Sequence, residues 1–445
     1  MRISVTKQPV DPGPAGWRDL LQAPASFPRL EQNMTADWVV IGAGFAGLSA
    51  ARRLAQRCPT DRIVVLDAKQ VAEGPAGRNS GFMIDLPHDL ASEDYGGAVE
   101  ADKALIDDNR YAIDFAAEMA EAFGLGANVF DRSGKINGAA TAKGLSHNVD
   151  YASHLAGLDE ESELYDAQTM KEITGTDYYQ SGLFTKGTAM IQPAAFVLGI
   201  AQGMSSNRLQ IFENSGVTGL KRNGDWEVET ASGTITTPNV FLAVNGHLNS
   251  FGFMKRRLMH VFTYASLTRP LTGDEVKALG GKPVWGLTPA DPLGTTVRRL
   301  SGASGDRILV RNRFTFDPSM EVGAARMRQI TKDHDAAFRA RFPMLKHVEM
   351  ASRWGGRLCL SRNNVGIVQE LEDGLFAACC QNGLGTTRGT LAGILAADLA
   401  TGHGSNRLDR AIHADAPQKL PPNWITKPAA NALLRFQEYR AGKEV

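Results

Sequence analysis

The apolar run Trp38, Val39, Val40 and Ile41 leads into a glycine-spaced turn, an Ala- and Leu-rich segment and a second apolar run, Ile63, Val64, Val65 and Leu66, that closes on Asp67. Uninterrupted apolar runs of this length suit strands buried on both faces, so residues 37–67 predict strand, turn, helix over about 45–56, and strand. Farther on, Leu105, Ile106, Ile113, Phe115, Met119 and Phe123 keep roughly helical spacing and predict a long helix over 98–123 with one buried face. Other helices are expected at 167–174, at 192–201 with Pro193 in the first turn, at 322–341 and at 386–402. Between them lie runs rich in β-branched and aromatic residues at 209–213, 217–220, 226–232, 234–244, 258–268, 295–300, 307–316 and 373–380. These predict short strands, most of them in antiparallel sheet. The chain thus leaves its opening strand–helix–strand unit and returns to it.

The turn in that unit carries Gly42, Gly44 and Gly47 in the order G-x-G-x-x-G. The first allows a tight turn, the second lets backbone approach a pyrophosphate, and the third lets the helix lie close to the sheet. The pyrophosphate would face the helix N-terminus, where free N–H groups and the positive dipole end favour an anion. Asp67 stands where a carboxylate accepts hydrogen bonds from a ribose diol and disfavours a 2′-phosphate. A glycine turn alone says little in a chain with 46 glycines; the flanking strands, helix and acid supply the context. Residues 37–67 therefore predict a bound dinucleotide and leave both FAD and NAD open.

At 445 residues the chain exceeds one simple core and fits two domains or an interleaved pair. Lys plus Arg and Asp plus Glu balance at 48 each, which provides no global field for nucleic acid or an acidic membrane. Cys58, Cys359, Cys379 and Cys380 lack metal-ligand spacing and form a poor disulfide framework, so no metal is expected and a reduced, cytoplasmic location is the simplest reading. The N-terminal segment has no secretory apolar core, and no stretch is long and apolar enough for transmembrane anchoring. Residues 1–36, with Pro9, Pro12, Pro14, Pro24 and Pro28, predict an extended arm on the surface.

Five segments in order carry a wider likeness: the Pro-containing arm leading into DWVVIGAGFAG, AGRNSG, MIQPAAFVLGIA, VFLAVNGHLNSF, and RWGGRLCLSRNN followed by GLFAACCQNGLGTTRGTLAG. Together the chain resembles the D-amino-acid-oxidase-like superfamily of FAD-dependent amine and amino-acid oxidoreductases, and looks most like its gamma-glutamylputrescine oxidase branch. The resemblance implies FAD, held non-covalently, and an α/β plus antiparallel-β architecture. In it, a Rossmann-like FAD-binding domain of the glutathione-reductase type (37–90, 186–250 and 350–410) interleaves with a mixed, largely antiparallel substrate domain (91–185 and 251–349). Residues 1–36 form the arm and 411–445 a C-terminal extension. Phe45 and Ala46 join the glycine turn, and Ala68 and Lys69 the ribose end. Gly77, Arg78, Asn79, Ser80 and Gly81 are expected along the flavin diphosphate and ring, Val217 at the adenine, and Asn245 and Gly246 beside the nucleotide. Asn382, Gly383, Leu384, Gly385 and Thr386 open a helix whose N-terminus faces the flavin pyrimidine edge and stabilises charge developing there. The implied reaction is oxidation of a C–N bond: a hydride passes from the carbon beside a neutral amine to flavin N5, and the imine hydrolyses to aldehyde or ketone plus amine or ammonia. Electrons go to oxygen, giving hydrogen peroxide, or to another acceptor. The implied partners are a small-molecule amine and that acceptor; oligomerisation is compatible with the sequence. A flavin-containing dehydrogenase subunit and an NAD-linked dehydrogenase remain open alternatives.

The chain also departs from those relatives. They usually carry glycine at the position of Cys380 and histidine at that of Leu384. Cys359 falls near, but about three residues from, the position where sarcosine oxidases attach flavin, so it reads as a packed thiol. Arginines cluster at Arg298 and Arg299, Arg311 and Arg313, and Arg353 and Arg357. Their planar forks suit a carboxylate or phosphonate, which predicts an amine bearing an anionic group, with Arg298, Arg311 and Arg357 as the clamp candidates. Strand alternation lets only one of Arg298 and Arg299 face inward. His260 and Tyr264 share a strand face and are candidates near the flavin, as is Trp354; His88 is a weaker one.

Overall fold

In the computed structural model, which describes residues 1–87 and 97–445, the strand Trp38–Ile41 sits inside a six-stranded sheet. Its order is Leu209–Phe212, Ile63–Leu66, Trp38–Ile41, Asn239–Leu242, Leu375–Cys379 and Ile367–Glu372. Every neighbouring pair is parallel except the last, which is an antiparallel hairpin. All residues of Trp38–Ile41 and Ile63–Leu66 are buried, which explains continuous apolar runs in place of alternation. The helices Phe45–Arg57 and Thr387–Ala400 cross at close range: a Cβ on Gly393 would stand 2.1 Å from the Ala46 carbonyl oxygen.

A second sheet has eight strands in the order Met350–Leu360, Met259–Thr268, Arg307–Phe316, Thr296–Leu300, Trp285–Pro289, Lys135–Ala139, Ser181–Thr185 and Glu163–Asp166. Its pairs are antiparallel apart from Trp285–Pro289 against Lys135–Ala139, so the expected largely antiparallel layer is present. The expected boundary at 350 differs. Met350–Leu360 pairs along its length with Met259–Thr268, and its hydrogen bonds bind it to the eight-stranded sheet rather than to the nucleotide sheet.

Two further differences have plain causes. The run 234–244 divides at Pro238, which has no N–H to donate: Thr234–Thr237 enters a five-stranded sheet and Asn239–Leu242 the six-stranded one. The N-terminal arm is not a surface tether. Arg2–Ser4 pairs with Val217–Asn223, Met34–Thr35 pairs with Thr234–Thr237, and Trp17, between Pro14 and Pro24, and Leu30, just after Pro28, are fully buried. The C-terminal segment is also docked, with Glu438 accepting from the Phe314 amide and Glu444 from the amides of Ala140 and Thr141. Among the described residues no helix is long and apolar enough to cross a membrane, and no group of His, Cys, Asp or Glu could hold a metal ion.

Candidate cofactor and substrate cleft

The three glycines of the first turn differ in what a side chain would meet. Gly42 has φ +109°, and a Cβ there would meet the Ala243 carbonyl oxygen at 2.6 Å; at Gly47 it would stand 1.7 Å from the Gly42 oxygen. Gly44 has only the Ala76 methyl nearby, at 3.4 Å, and borders a cleft. It is also the N-cap of Phe45–Arg57 and supplies no side chain, so the first-turn N–H groups keep no side-chain cap. Asp67 accepts from the Ala43 amide at 2.9 Å through Oδ2 and from the Lys69 amide at 2.9 Å through Oδ1. Burial, against the pull of those amides, pushes its carboxyl up to about 6.

The cleft encloses about 1950 Å³ not filled by protein atoms, part of it open to solvent. Gly42, Gly44, Phe45, Ala46, Asp67, Ala68, Lys69, Asn79, Ser80, Val217, Asn245, Gly383, Leu384, Gly385 and Thr386 all line it. Sequence positions hundreds of residues apart are thereby brought to one wall. Around the late turn, Asn382 (φ +50°) and Gly383 (φ +87°) hold left-handed backbone, which Asn and Gly adopt most readily. Thr386 Oγ1 donates to the Phe82 carbonyl at 2.6 Å, so the N-cap of Thr387–Ala400 receives no side-chain cap either. A Cβ on Gly385 would meet nothing within 4 Å.

Other expected residues support the cleft from behind. Gly47 fits under the turn. Gly77 is pressed against the Ala72 carbonyl, and Gly246 against the His260 ring. Asn382 Oδ1 accepts from the Ser361 amide at 2.7 Å. Arg78 does not offer its charge to the cleft: it is buried and donates to the carbonyls of Glu73, Pro12, Gly13 and Gly355, and burial lowers its pKa. Gly81 (φ +81°) lies against Arg298.

Four of the six substrate-side candidates are likewise placed elsewhere. Arg298 is buried and spends Nη1 on the carbonyls of Ser80, Gly81 and Ile191 at 3.2, 3.0 and 2.7 Å, with Trp17 and Phe82 against its guanidinium. It fixes the 80–81 loop and is not a clamp. Tyr264 is fully buried and bonded to Thr315 Oγ1 at 2.6 Å. Trp354, also fully buried, donates to the Arg78 carbonyl at 3.0 Å. His260 Nε2 bonds Asn249 Oδ1 at 3.1 Å; burial and then Arg357 hold its pKa down to about 4. Arg299 contacts Asp306 at 3.4 Å, Arg313 pairs with Glu438 and Asp333, and Arg353 with Asp335. Only Arg311 and Arg357 of this set line the cleft among the described residues. Arg357 is buried, with Nη1 3.5 Å from the Met320 carbonyl. His88 lies outside the described residues.

Cys359 lines the cleft as a free thiol, which the neighbouring Cys380 thiol and burial push well above its ordinary pKa. Sequence reasoning missed His247, which lines the cleft, bonds Ser250 Oγ at 3.1 Å through Nδ1 and is pushed down to about 2 by burial. It follows Asn245-Gly246 in the very segment that carried the likeness, a signal left unused. Thr288, Pro289 and Thr296 on the eight-stranded sheet were missed too, as were Lys7, Gln8 and Asp11 of the arm.

Bare backbone at Gly44 and Gly385, two helix N-termini without side-chain caps, and a carboxylate at the end of the second strand fit an FAD laid between them. The profile of the family described as FAD dependent oxidoreductase (DAO) matches residues 37–399. A relative from Haemophilus influenzae, "Probable oxidoreductase OrdL", is 27% identical over 391 residues, covering 84% of this chain and 85% of the relative. The gamma-glutamylputrescine oxidoreductase of Escherichia coli is 24% identical over 401 residues, covering 85% and 86%. Among solved structures, glycine oxidase from Geobacillus kaustophilus superposes with a TM-score of 0.69 at 15% identity, covering 86% of this chain and 99% of that one. L-proline dehydrogenase from P. horikoshii gives 0.63 at 16%, covering 85% and 96%.

Proposed function

Because the chain belongs to the FAD dependent oxidoreductase (DAO) family, we propose that it oxidises the C–N bond of a small amine or amino acid bearing an anionic group. The observation that carries the anionic part is the division among the arginines. Arg298, Arg299, Arg313 and Arg353 are engaged with carbonyls or carboxylates and do not line the cleft, while Arg311, stacked on the Phe314 ring, and Arg357 do. A buried guanidinium held only by a long 3.5 Å contact to the Met320 carbonyl among the described residues, as at Arg357, favours an arriving carboxylate or phosphonate. The amine part is supported by the likeness to an enzyme named for a glutamylated amine and by the fold of glycine oxidase.

Bound FAD, held non-covalently in this reading, supplies a two-electron acceptor. The chain's own residues position and polarise: Thr288, Pro289, Thr296 and Phe82 shape the wall, and the Thr387–Ala400 N-terminus, which has no side-chain cap, would lie with its positive dipole end against the cofactor. Oxygen, with peroxide as product, or another acceptor takes the electrons, in a reducing, cytoplasmic setting that suits four free cysteines.

Anaerobic mixing with a panel of amines and amino acids, read by loss of flavin absorbance, tests the reading. Bleaching by anionic amines is expected, and Arg311→Met and Arg357→Met should each weaken their binding about tenfold or more while leaving uncharged amines unchanged. Equal binding of anionic amines by both variants would overturn the clamp; no bleaching by any member would overturn C–N oxidation. Peroxide release in air distinguishes oxidase from dehydrogenase.

A further inference from the structure

The arm crosses the cleft that holds the cofactor. It is fixed first to the nucleotide side, by its backbone with the Val5 amide on Thr218 O at 2.9 Å and the Thr6 amide on Ser250 O at 3.0 Å, and by the Gln8 side chain with Nε2 on Val217 O at 2.7 Å. Lys7 then reaches the substrate side, 2.7 Å from Glu321 Oε1 and bonded to the Ser319 carbonyl. Beyond the cleft the Pro12 carbonyl accepts from the Gly355 amide at 2.9 Å and from Arg78 at 3.0 Å. Between these anchors Val5, Lys7, Gln8, Pro9 and Asp11 line the cleft.

Asp11 is the exception within this well-bonded arm. Its side chain is 0% exposed, neither carboxylate oxygen has a hydrogen-bond partner among the described residues, and Lys69 Nζ stands 3.6 Å away. A buried carboxylate paired with a cation only at 3.6 Å and accepting no hydrogen bond keeps its acceptor capacity for a donor in the cleft. Phosphate cannot: it is anionic and brings acceptors. A sugar hydroxyl can, and Asp11 borders the cleft together with Asp67 and Lys69.

We propose that residues 5–11 form a strap over bound FAD, in which Asp11 accepts a hydrogen bond from a hydroxyl of the cofactor, on the adenosine ribose or on the ribityl chain. Asp67 reads the nucleotide from the sheet, and Asp11 reads it from the opposite, N-terminal side. Release of FAD then requires the strap to lift, which breaks the Lys7–Glu321 pair and the Gln8 bond. The inference concerns the cofactor alone and stands whether or not the substrate is anionic.

Equilibrium binding of FAD to apoprotein, followed by flavin fluorescence, tests Asp11. Asp11→Leu should raise the dissociation constant about tenfold or more, and Asp11→Asn, which keeps an acceptor oxygen, should recover most of that loss. Unchanged FAD affinity in Asp11→Leu, with wild-type thermal unfolding of its apoprotein, overturns the role of Asp11. Limited trypsin digestion of the wild-type protein tests the strap independently of any variant: FAD should slow cleavage after Lys7 and Arg18 at least severalfold. Protection by ADP assigns the ribose and protection by FMN the ribityl chain, while equal cleavage with and without FAD overturns the strap.

Discussion

Arg298 and Arg357 carry the same fork, and their neighbours decide what it does. Three carbonyls and two aromatic rings surround Arg298, whereas Arg357 meets the cleft. No local pattern distinguishes them, since each sits within a buried stretch of its strand. His260 shows how such surroundings act on a titrating group. Its imidazole, ordinarily near 6.5, is held down to about 4 by burial and then by Arg357. Between those pH values the unfolded chain takes up a proton that the folded protein refuses. The stability tied to His260 is therefore complete above pH 6.5 and is lost as pH falls toward 4. The expected slope approaches roughly 1.4 kcal/mol per pH unit at its steepest. His260→Gln, which can keep a donor for Asn249, should flatten this part of the profile. Urea unfolding of both proteins across that range provides the check, and parallel profiles would refute it.

At the scale of elements, the glycine turn and the late helix N-terminus meet because two helices cross almost in backbone contact. Gly47 was legible through its place in G-x-G-x-x-G, whereas nothing in the helical run around Gly393 singles that glycine out. The structure gives it a packing reason: its missing side chain admits the Ala46 carbonyl. Gly393→Ala would raise helix propensity and still destabilise the protein, because overpacking at 2.1 Å forces the two helices apart. The expected loss is about 1–3 kcal/mol. Displacing Phe45–Arg57 should also loosen FAD, so a lower melting temperature accompanied by weaker flavin retention is the result to look for. A variant as stable as the parent would show that the helices can yield.

Across the whole molecule, the two termini tie distant parts together. Glu444 accepts from the Ala140 amide, the Thr141 amide and the Thr141 hydroxyl, at 2.9, 2.9 and 2.8 Å, and Arg341 donates to the Glu444 carbonyl at 2.8 Å. Glu444→Ala would strand buried amides at the start of Ala142–Gly157 and should destabilise by about 1–3 kcal/mol, measured as a lowered denaturant midpoint. An unchanged midpoint would mean that water replaces the carboxylate there. The arm does for the cleft what this tail does for the eight-stranded sheet, and neither could be placed from its composition. Prolines do predict extended chain, but Trp17 and Leu30 are fully buried because each joins an apolar cluster built from remote segments.

The amino-acid sequence by itself determined the strand–turn–helix–strand unit, the family and many of the residues that line the cleft. Backbone turns and buried strands impose local rules: glycine where Cβ would collide, unbroken apolar runs where both faces are covered, an acid at the end of the second strand. The tertiary structure decided which arginines face the cleft, that His260, Tyr264 and Trp354 stand behind it, and that Asp11 belongs to it. Those outcomes depend on which side chains from remote segments consume one another's hydrogen bonds, and that pairing is fixed only when the sheets, the arm and the tail come together.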